Sequence, residues 1–527
     1  MLDPLDVEWL MVGDLAQHFL GWHFFRDEPW RMPPGRIHDY GLEMGSSIVY
    51  TDSIPLLALL LKPFASWLPD PLQYAGPWVV TCYALGAAHA WRCGWLATGR
   101  VEAAAACAVF AILSPVVALR GHGHFALMAH WLVWWSLGDY LSAKPVARAS
   151  RIASTCVAAL VHAYLLVIVL AIVTADVLRR TLVAREWRVR DAAFLLGGLA
   201  VGLSITLWAA GYFVLADTGG GVGQYGRFAA HLGTLWSPVS SSLFLPTIPI
   251  SPDTAAERAG YLGFGALALI VAAVAATASK PAAWRPLRRH WPLVLATLAC
   301  TALAITHQVR YGDRLLFELA LPPATLDMLS TLRASARLLW LAYYTLVAGA
   351  VLALVAWLPR RAAIAVLSIA VALQVLDLAA FHAGLRTHYA AMVAWQAQLA
   401  RRLDGDFWEQ AAARYTHVLV APMDHAGPHW VTLGRYAADH DMAINVGQFA
   451  RASWPTFQAA YFRLMHELET GELRRDALYV LARPEAVKLG RLGPDDVAGV
   501  VDGLHVVAPG WRAPHPCCAV PAVVAPR

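Results

Sequence analysis

Two aspartates lie in the polar segment that precedes the first apolar run of the chain. Asp14 is followed at i+3 and i+4 by Gln17 and His18, so these three residues share one face of a predicted helix. Asp52 lies in a second polar turn, directly before the apolar run. A carboxylate beside a membrane is costly there and is commonly functional. Because burial raises a carboxyl pKa towards values suited to a general base, both aspartates are candidate catalytic residues.

Polar and aromatic neighbours of the two aspartates are candidate substrate contacts. His18, Trp22 and Tyr50 lie close to Asp14 or Asp52 in the sequence and combine hydrogen-bonding groups with flat apolar surface. A structural role is the alternative, in which an interfacial helix is capped by Asp14 and buries its aromatic face in the membrane surface. The sequence leaves both interpretations open.

A second group of candidates is a short turn in which arginine and two histidines alternate with glycine. A guanidinium group beside imidazoles can hold a phosphate, so Arg120 and His124 are predicted to contact a donor phosphate. His122 is a candidate substrate contact in the same turn. A simple hinge between two spans, with tryptophan anchors, is equally compatible with this pattern. No metal site is predicted, because His122 and His124 have no third ligand nearby.

A third group consists of two arginines, Arg333 and Arg337, at the start of a late apolar run. Their i, i+4 spacing directs both side chains the same way on a continuous helix. They lie on the predicted outer side, against the usual distribution of positive charge, which favours contact with an anionic lipid head group. Snorkelling at a helix start is the structural alternative.

Composition places the chain among polytopic membrane proteins. Of its 527 residues, 58% are hydrophobic and 15% are charged, against about 25% charged residues in soluble proteins. The net charge of +5 comes from short basic clusters between apolar runs, which gives no indication of nucleic-acid binding. The seven cysteines show no spacing typical of a zinc site or a disulfide framework, and no cofactor is predicted.

Apolar windows predict an all-α transmembrane bundle of about ten spans, followed by a small soluble α/β domain. Residues 1–53 form an external loop with an interfacial helix, 54–384 the transmembrane domain, 385–512 the α/β domain and 513–527 a disordered tail. The predicted strands are Thr416–Ala421, Met442–Val446, Ala477–Leu481 and His505–Ala508, with a helix at Thr456–Glu469. The span windows are 54–68, 74–96, 101–119, 122–142, 152–176, 191–216, 258–279, 291–307, 337–358 and 362–384.

Basic clusters set the predicted orientation. Residues 179–190, 280–289 and 360–361 are assigned to the cytoplasmic side, which places 1–53 and everything after residue 385 outside. Arg148 and Arg151 then face outward against the rule, so the orientation of residues 97–176 stays open. The predicted location is the bacterial inner membrane, with an extracytoplasmic C-terminal domain.

The first polar segment resembles the first external loop of GT-C class integral-membrane glycosyltransferases. The resemblance rests on Gly-Asp, then His-Phe-Leu-Gly-Trp, Phe-Phe-Arg, Pro-Trp and Tyr-Thr-Asp-Ser-Ile-Pro. It implies a polyprenyl-phosphate sugar donor, Asp14 as base or acceptor-positioning residue, and Asp52 as second candidate. It also implies donor binding by arginines near late spans, such as Arg333 and Arg337. That class has a transmembrane helix before the loop, so we expect one upstream of Met1; translocation of a short N-terminal tail after insertion is the alternative.

The sequence therefore predicts an inverting membrane glycosyltransferase. It would move a sugar from a polyprenyl phosphate to a glycan or lipid acceptor of the cell envelope at the outer face. A flippase for lipid-linked glycans is an alternative, although few charges lie within the spans and no internal repeat is visible. An O-antigen-type ligase is another alternative, for which the loop 308–336 is small.

Overall fold

The chain divides into two compact units. A computed structural model describes residues 2–121, 123–142, 146–215, 224–399, 402–424, 429–482 and 492–513. We call Met1–Gly76, Leu207–Gly219 and Met392–Arg527 the terminal unit, and Pro77–Thr206 with Gly220–Ala391 the central unit. The predicted outer loop 1–53 thus falls in one compact unit with residues 392–512, which are most of the predicted domain 385–512.

The structure is mostly helical, and within its described residues four helices are long and apolar enough to cross a membrane. These are Val101–Arg120, Val189–Ala210, Ser335–Trp357 and Arg360–Met392. Three shorter apolar helices are Pro55–Trp67, Phe264–Thr277 and Trp291–Ile305. The predicted helical and apolar character of the chain is thus confirmed. Only four of the described helices, however, are long and apolar enough to cross a membrane, whereas the sequence predicts ten spans.

Local breaks explain why several apolar windows are not single long helices. The window 152–176 is interrupted at His162, whose backbone is extended with φ −165° and ψ 137°, between helices Arg148–Val161 and Ala163–Leu178. In the window 54–68, the α-helix stops at Leu61 and a 3-10 turn follows, at the point where Pro63 can donate no helical hydrogen bond. Window hydropathy does not register such breaks.

The remaining elements of the central unit are helices and one hairpin. Gln308–Tyr311 pairs antiparallel with Arg314–Glu318, and Gly312 makes the turn with φ +61°. Val101–Arg120 consists of Val101–Ile112 and Pro115–Arg120, Ser335–Trp357 contains the α-helix Trp340–Trp357, and Arg360–Met392 is the first part of Arg360–Leu399. The other helices are Ala75–Thr98, Trp131–Leu141, Pro252–Ala255, Arg285–Arg289 and Pro323–Leu329.

Ion pairs neutralise the arginines whose position opposes the predicted orientation. Arg151 is buried, and its Nε lies 2.7 Å from Oδ2 of the buried Asp176. Arg148 lies 2.8 Å from a carboxylate oxygen of Asp191. Both arginines are therefore parts of folded ion pairs within the central unit.

A five-stranded mixed sheet forms the core of the terminal unit, which confirms the sheet predicted near the C-terminus. His417–Ala421 runs parallel to Ala443–Ile444 on one side and to Ala477–Leu481 on the other. Ala477–Leu481 pairs antiparallel with Leu504–Ala508, which pairs antiparallel with Val497–Val501. The helices of this unit are Gly13–Asp27, Pro55–Leu61, Asp406–Arg414, Trp430–Asp439 and Trp454–Thr470.

The N-terminal segment covers one edge of this sheet. The amide of Ile444 donates to the carbonyl of Asp39 at 2.7 Å, and the amide of Gly41 donates to the carbonyl of Ile444 at 2.8 Å. The buried ring of Tyr40 lies between Phe24 and Phe449. Since an open edge strand invites pairing with other chains, the N-terminal segment protects the sheet while it is itself held in place.

Glu8 makes a second connection between the two ends of the chain, and it predicts a pH effect. Both its carboxylate oxygens accept from Arg435 at 2.8 Å, and Arg402 adds a contact of 3.1 Å. The hydrogen bonds from Arg435, opposed by partial burial, lower the pKa of Glu8 from 4.5 to about 2. Because the folded pKa lies below the unfolded one, this stabilisation is complete above pH 4.5 and is lost as pH falls towards 2.

We therefore expect Glu8→Gln to lower the melting temperature at neutral pH, and this deficit should shrink as pH falls through that window. Differential scanning fluorimetry of both proteins across the pH range measures it. The exposed Glu472 supplies the control, because Glu472→Gln should show no such convergence. A deficit that is the same at neutral pH and at low pH would contradict the assigned role of Glu8.

Candidate functional sites

Asp14 lies in the first turn of the helix Gly13–Asp27, after Val12 in extended conformation. Its carboxylate accepts a hydrogen bond from the side-chain amide of Gln448, 434 residues further along the chain. A carboxylate in this position is stabilised by the positive end of the helix dipole. The half-buried Asp14 is thus oriented by both the helix and the C-terminal part of the terminal unit.

The turn containing Asp52 is clamped against the same helix. Nδ1 of His18 lies 2.7 Å from the carbonyl oxygen of Asp52, and the hydroxyl of Ser53 donates to the carbonyl of His18 at 2.7 Å. A Cβ atom at Gly21 would lie 2.3 Å from the side chain of Thr51, so only glycine allows this close approach. Asp52 itself has a left-handed backbone, with φ +54°. This turn is therefore fixed in position by packing on the helix.

Tyr50 joins the helix and the C-terminal segment. Its carbonyl accepts from the side-chain amide of Gln17 at 3.3 Å and from the backbone N–H of Ala450 at 2.7 Å. Its hydroxyl donates to the carbonyl of Tyr212 at 2.6 Å. Burial raises the pKa of Tyr50, against an opposing effect of Arg451, so the phenol is a neutral hydrogen-bonding group.

Four of the predicted residues therefore gather around one helix face: Asp14, His18, Tyr50 and Asp52. Trp22, from the same prediction, is 1% exposed, and its indole N–H donates to the carbonyl of Leu72 at 3.0 Å. Trp22 thus takes part in the packing of the helix.

The second set of predicted residues meets in the central unit at a glutamate that the sequence analysis did not single out. Oε1 of Glu257 lies 2.8 Å from Nε2 of His124 and 3.3 Å from Nη1 of Arg120. Oε2 accepts from Nη2 of Arg337 at 2.6 Å. Arg120 also donates to the carbonyl of Ala256 at 2.9 Å. We call Arg120, His124, Glu257 and Arg337 the arginine–glutamate cluster.

Positive charge exceeds negative charge in this cluster. The side chains of Arg120 and Arg337 are 2% and 9% exposed, and that of Glu257 is 18% exposed. Burial alone would raise the pKa of Glu257, but Arg337 and Arg120 hold it well below its usual range, so the glutamate is ionised. Two buried guanidinium groups therefore share a single carboxylate.

Each arginine of the cluster also has a donor left over. The Nε atoms of Arg120 and Arg337 are buried and have no hydrogen-bond partner among the described residues. The two guanidinium groups lie over the rings of Trp340 and Tyr164, at 5.5 and 5.0 Å. A phosphate, with several acceptor oxygens, matches the charge and the unused donors of this cluster.

Arg333 and Arg337 do not lie on one continuous α-helix, contrary to the predicted i, i+4 spacing on a helix. The residues between them are not α-helical: a 3-10 turn ends at Leu332, Ala334 has φ −100° and ψ 55°, and a further 3-10 turn follows. The carbonyl of Arg333 accepts from the amide of Phe228 at 3.3 Å. The i, i+4 rule applies only to a continuous α-helix, which here begins at Trp340.

His122 and the glycine-rich residues 217–223 lie outside the described residues. Among the residues that the structure describes, no three His, Cys, Asp or Glu side chains are close enough together to hold a metal ion. The aspartate residues belong to the terminal unit and the arginine–glutamate cluster belongs to the central unit.

The partners missed by the sequence analysis are distant along the chain. Glu257 is 137 residues from Arg120, and Gln448 is 434 residues from Asp14. Local spacing carries no signal for such pairs. Glu257 itself lies between the charged residues Asp253 and Arg258, in a segment with no pattern that distinguishes it.

The protein is thus mostly helical. Some of its helices are apolar enough for a membrane, and a small sheet lies near the C-terminus. A family model described as a domain of unknown function, DUF6311, matches residues 1–379, and the model of the DUF6311 C-terminal domain matches residues 407–509. The chain belongs to this family. No curated protein and no solved structure matches it.

Proposed function

We propose that this protein is a GT-C-like membrane glycosyltransferase that uses a polyprenyl-phosphate sugar. The observation that carries the proposal is the arginine–glutamate cluster, in which two buried arginines and a histidine converge at one point. Arg120 ends the apolar helix Val101–Arg120, and Arg337 lies in the first turn of Ser335–Trp357. A binding site for an anion at the ends of membrane-compatible helices suits the phosphate head group of a lipid.

The proposed reaction is a single displacement with inversion. The acceptor hydroxyl oxygen attacks the anomeric carbon, the bond from that carbon to the phosphate oxygen breaks, and the acceptor proton passes to a carboxylate. We assign that carboxylate to Asp14, with Asp52 as the alternative base. Arg337 and Arg120 neutralise the charge that develops on the departing polyprenyl phosphate, with His124 as a further donor.

The same proposal sets the location of the protein. The acceptor is a glycan or lipid of the bacterial cell envelope, and transfer takes place at the outer face of the inner membrane. About ten membrane crossings, with the C-terminal sheet on the outside, belong to this proposal and follow from the apolar windows and the basic clusters of the sequence.

We expect Arg337→Gln to lower sugar transfer by about 10²–10³-fold, the scale of losing one preorganised charge-stabilising donor. Membranes that contain the protein are incubated with radiolabelled polyprenyl-phosphate sugars, and label in envelope acceptors is counted. Arg337→Lys should retain part of the activity, because it keeps the charge but loses the forked geometry.

The matched control for this experiment is Arg361→Gln, which removes an exposed arginine at the start of the last long helix. It should leave transfer unchanged. If Arg337→Gln is folded and transfers sugar as fast as the unaltered protein, the role assigned to the cluster is contradicted.

A further inference from the structure

A second site for an anionic ligand is present in the central unit, in a cavity of about 540 Å³. That volume lies within the range of roughly 300–1,000 Å³ found for small-molecule sites. The cavity is bounded by the hairpin Gln308–Tyr311/Arg314–Glu318 and by the helix Pro323–Leu329. Its lining includes hydroxyl, amide and guanidinium groups, from residues such as Ser251, Thr254, Arg258, His307, Gln308 and Arg310.

Arg258 is a fixed part of the wall. Its guanidinium group donates to Asp313 at 2.6 Å, to the carbonyl of Gly312 at 2.8 Å and to the carbonyl of Ala229 at 2.9 Å. The other carboxylate oxygen of Asp313 accepts from the amide and the hydroxyl of Ser251, at 2.6 and 2.8 Å. The carboxylate of Asp313 is thus fully engaged by Arg258 and Ser251.

Arg310 supplies a positive charge that no carboxylate of the described residues neutralises. Its two hydrogen-bond partners are neutral: Oε1 of Gln308 at 2.9 Å and the carbonyl of Asp313 at 3.2 Å. Arg227 lines the same cavity and is exposed. The cavity therefore has an excess of positive charge, with Arg310 as the cation best placed to meet a ligand.

His307 adds an unused hydrogen-bonding atom to the same cavity. Its side chain is 8% exposed, and its Nδ1 is buried without a hydrogen-bond partner among the described residues. Its ring stacks on Tyr225 with centroids 5.6 Å apart, and Nε2 lies 3.6 Å from a carboxylate oxygen of Glu318. Because buried polar atoms in folded proteins are nearly always satisfied, an unpaired buried atom in a residue that lines a polar cavity indicates a missing partner.

We infer that this cavity binds an anionic, hydroxyl-rich ligand, a sugar that carries a phosphate or a carboxylate. Arg310 pairs with the anionic group of the ligand, and His307 contacts that group or an adjacent hydroxyl. Gln308 and Thr254 form hydrogen bonds with further hydroxyls of the ligand. The inference goes beyond the proposed transfer reaction, because the cavity residues are separate from the arginine–glutamate cluster. The anionic sugar is either a free molecule or the head group of a lipid.

Equilibrium binding to the full chain in lipid nanodiscs tests this inference. The probes are glucose 1-phosphate, glucuronate and neutral glucose in solution, and, in a separate arm, a polyprenyl-phosphate glucose placed in the nanodisc. We expect at least one anionic probe to bind more tightly than glucose, and the arm in which it does so identifies the source. No acceptor is added, so a failure of binding here is distinguishable from a failure of transfer.

The variants assign any such binding to the cavity. Arg310→Gln should weaken it by about tenfold or more, the scale of losing a charge-assisted hydrogen bond. His307→Phe, which keeps the stacking on Tyr225, should weaken it as well, and Arg310→Lys should recover part of the affinity. Arg314→Gln removes an exposed arginine from the other strand of the same hairpin and should leave the affinity unchanged. Equal losses in Arg310→Gln and Arg314→Gln, or no preference for an anionic probe, would overturn the inference.

Discussion

Asp14→Asn should lower the rate of sugar transfer by about 10²–10⁴-fold, the usual contribution of a general base. Asparagine has the same shape and is also a good residue at a helix start, so the helix Gly13–Asp27 should form as before. The side chain of Gln448 can still hydrogen-bond to the new amide oxygen. The substitution therefore removes the proton acceptor and leaves the fold intact.

A control for this substitution lies at the other end of the same helix. Asp27→Asn removes an exposed carboxylate that lies 3.3 Å from Arg26 and should leave the transfer rate unchanged. Donor binding, measured with labelled polyprenyl phosphate, should be equal in both variants and the unaltered protein. If Asp14→Asn transfers sugar at the full rate while Asp52→Asn does not, the base is Asp52; full activity in both variants would remove the aspartates from the mechanism.

Glu257→Gln should destabilise the central unit by about 3–5 kcal/mol, the cost of leaving buried charges without their partner. The two guanidinium groups of Arg120 and Arg337 would then face each other, and His124, with no carboxylate between them. Inorganic phosphate in the buffer should raise the melting temperature of the variant more than that of the unaltered protein, because it supplies the missing anion. Thermal unfolding with increasing phosphate measures both effects.

Glu186→Gln is the matched control, because Glu186 forms only partly exposed pairs with Arg180 and Arg289. It should cost at most about 1 kcal/mol and show no selective response to phosphate. A Glu257→Gln protein that melts like the unaltered chain and gains nothing from phosphate would show that the cluster does not hold an anion.

Much of the fold follows from local patterns in the sequence. The strands at His417–Ala421, Ala443–Ile444, Ala477–Leu481 and Leu504–Ala508 agree with the predicted apolar runs. Val497–Val501 was missed because Ala498 and Gly499 weaken its strand character, and most of its residues are only partly buried. Ala477–Leu481, buried at every position, is the opposite case.

Fewer helices of membrane length are present in the described residues than the ten windows predict, because hydropathy ignores backbone breaks. His162 lies in an apolar window that a hydropathy average treats as continuous, yet its extended backbone separates two helices. The break at Lys62-Pro63 was visible in the sequence, since proline cannot donate to the helix. Breaks without proline have no comparable signature.

The two candidate sites were found only in part. The turn Arg120–His124 and the aspartates were recognised because unusual residue types occur together over a short distance. Glu257 was not, because its meaning depends on contacts that form only in the folded chain. The predicted helical spacing of Arg333 and Arg337 was wrong for a related reason: it assumed a continuous α-helix across residues that form 3-10 turns.

The most direct test of the proposed function uses purified protein in liposomes that contain a polyprenyl-phosphate sugar and an envelope glycan acceptor. Transferred sugar and free polyprenyl phosphate are quantified in the same samples by mass spectrometry. The proposal predicts equal amounts of both products, with inverted anomeric configuration, and their joint loss in Asp14→Asn. Movement of the intact lipid-linked sugar across the bilayer, with no polyprenyl phosphate released, would contradict it.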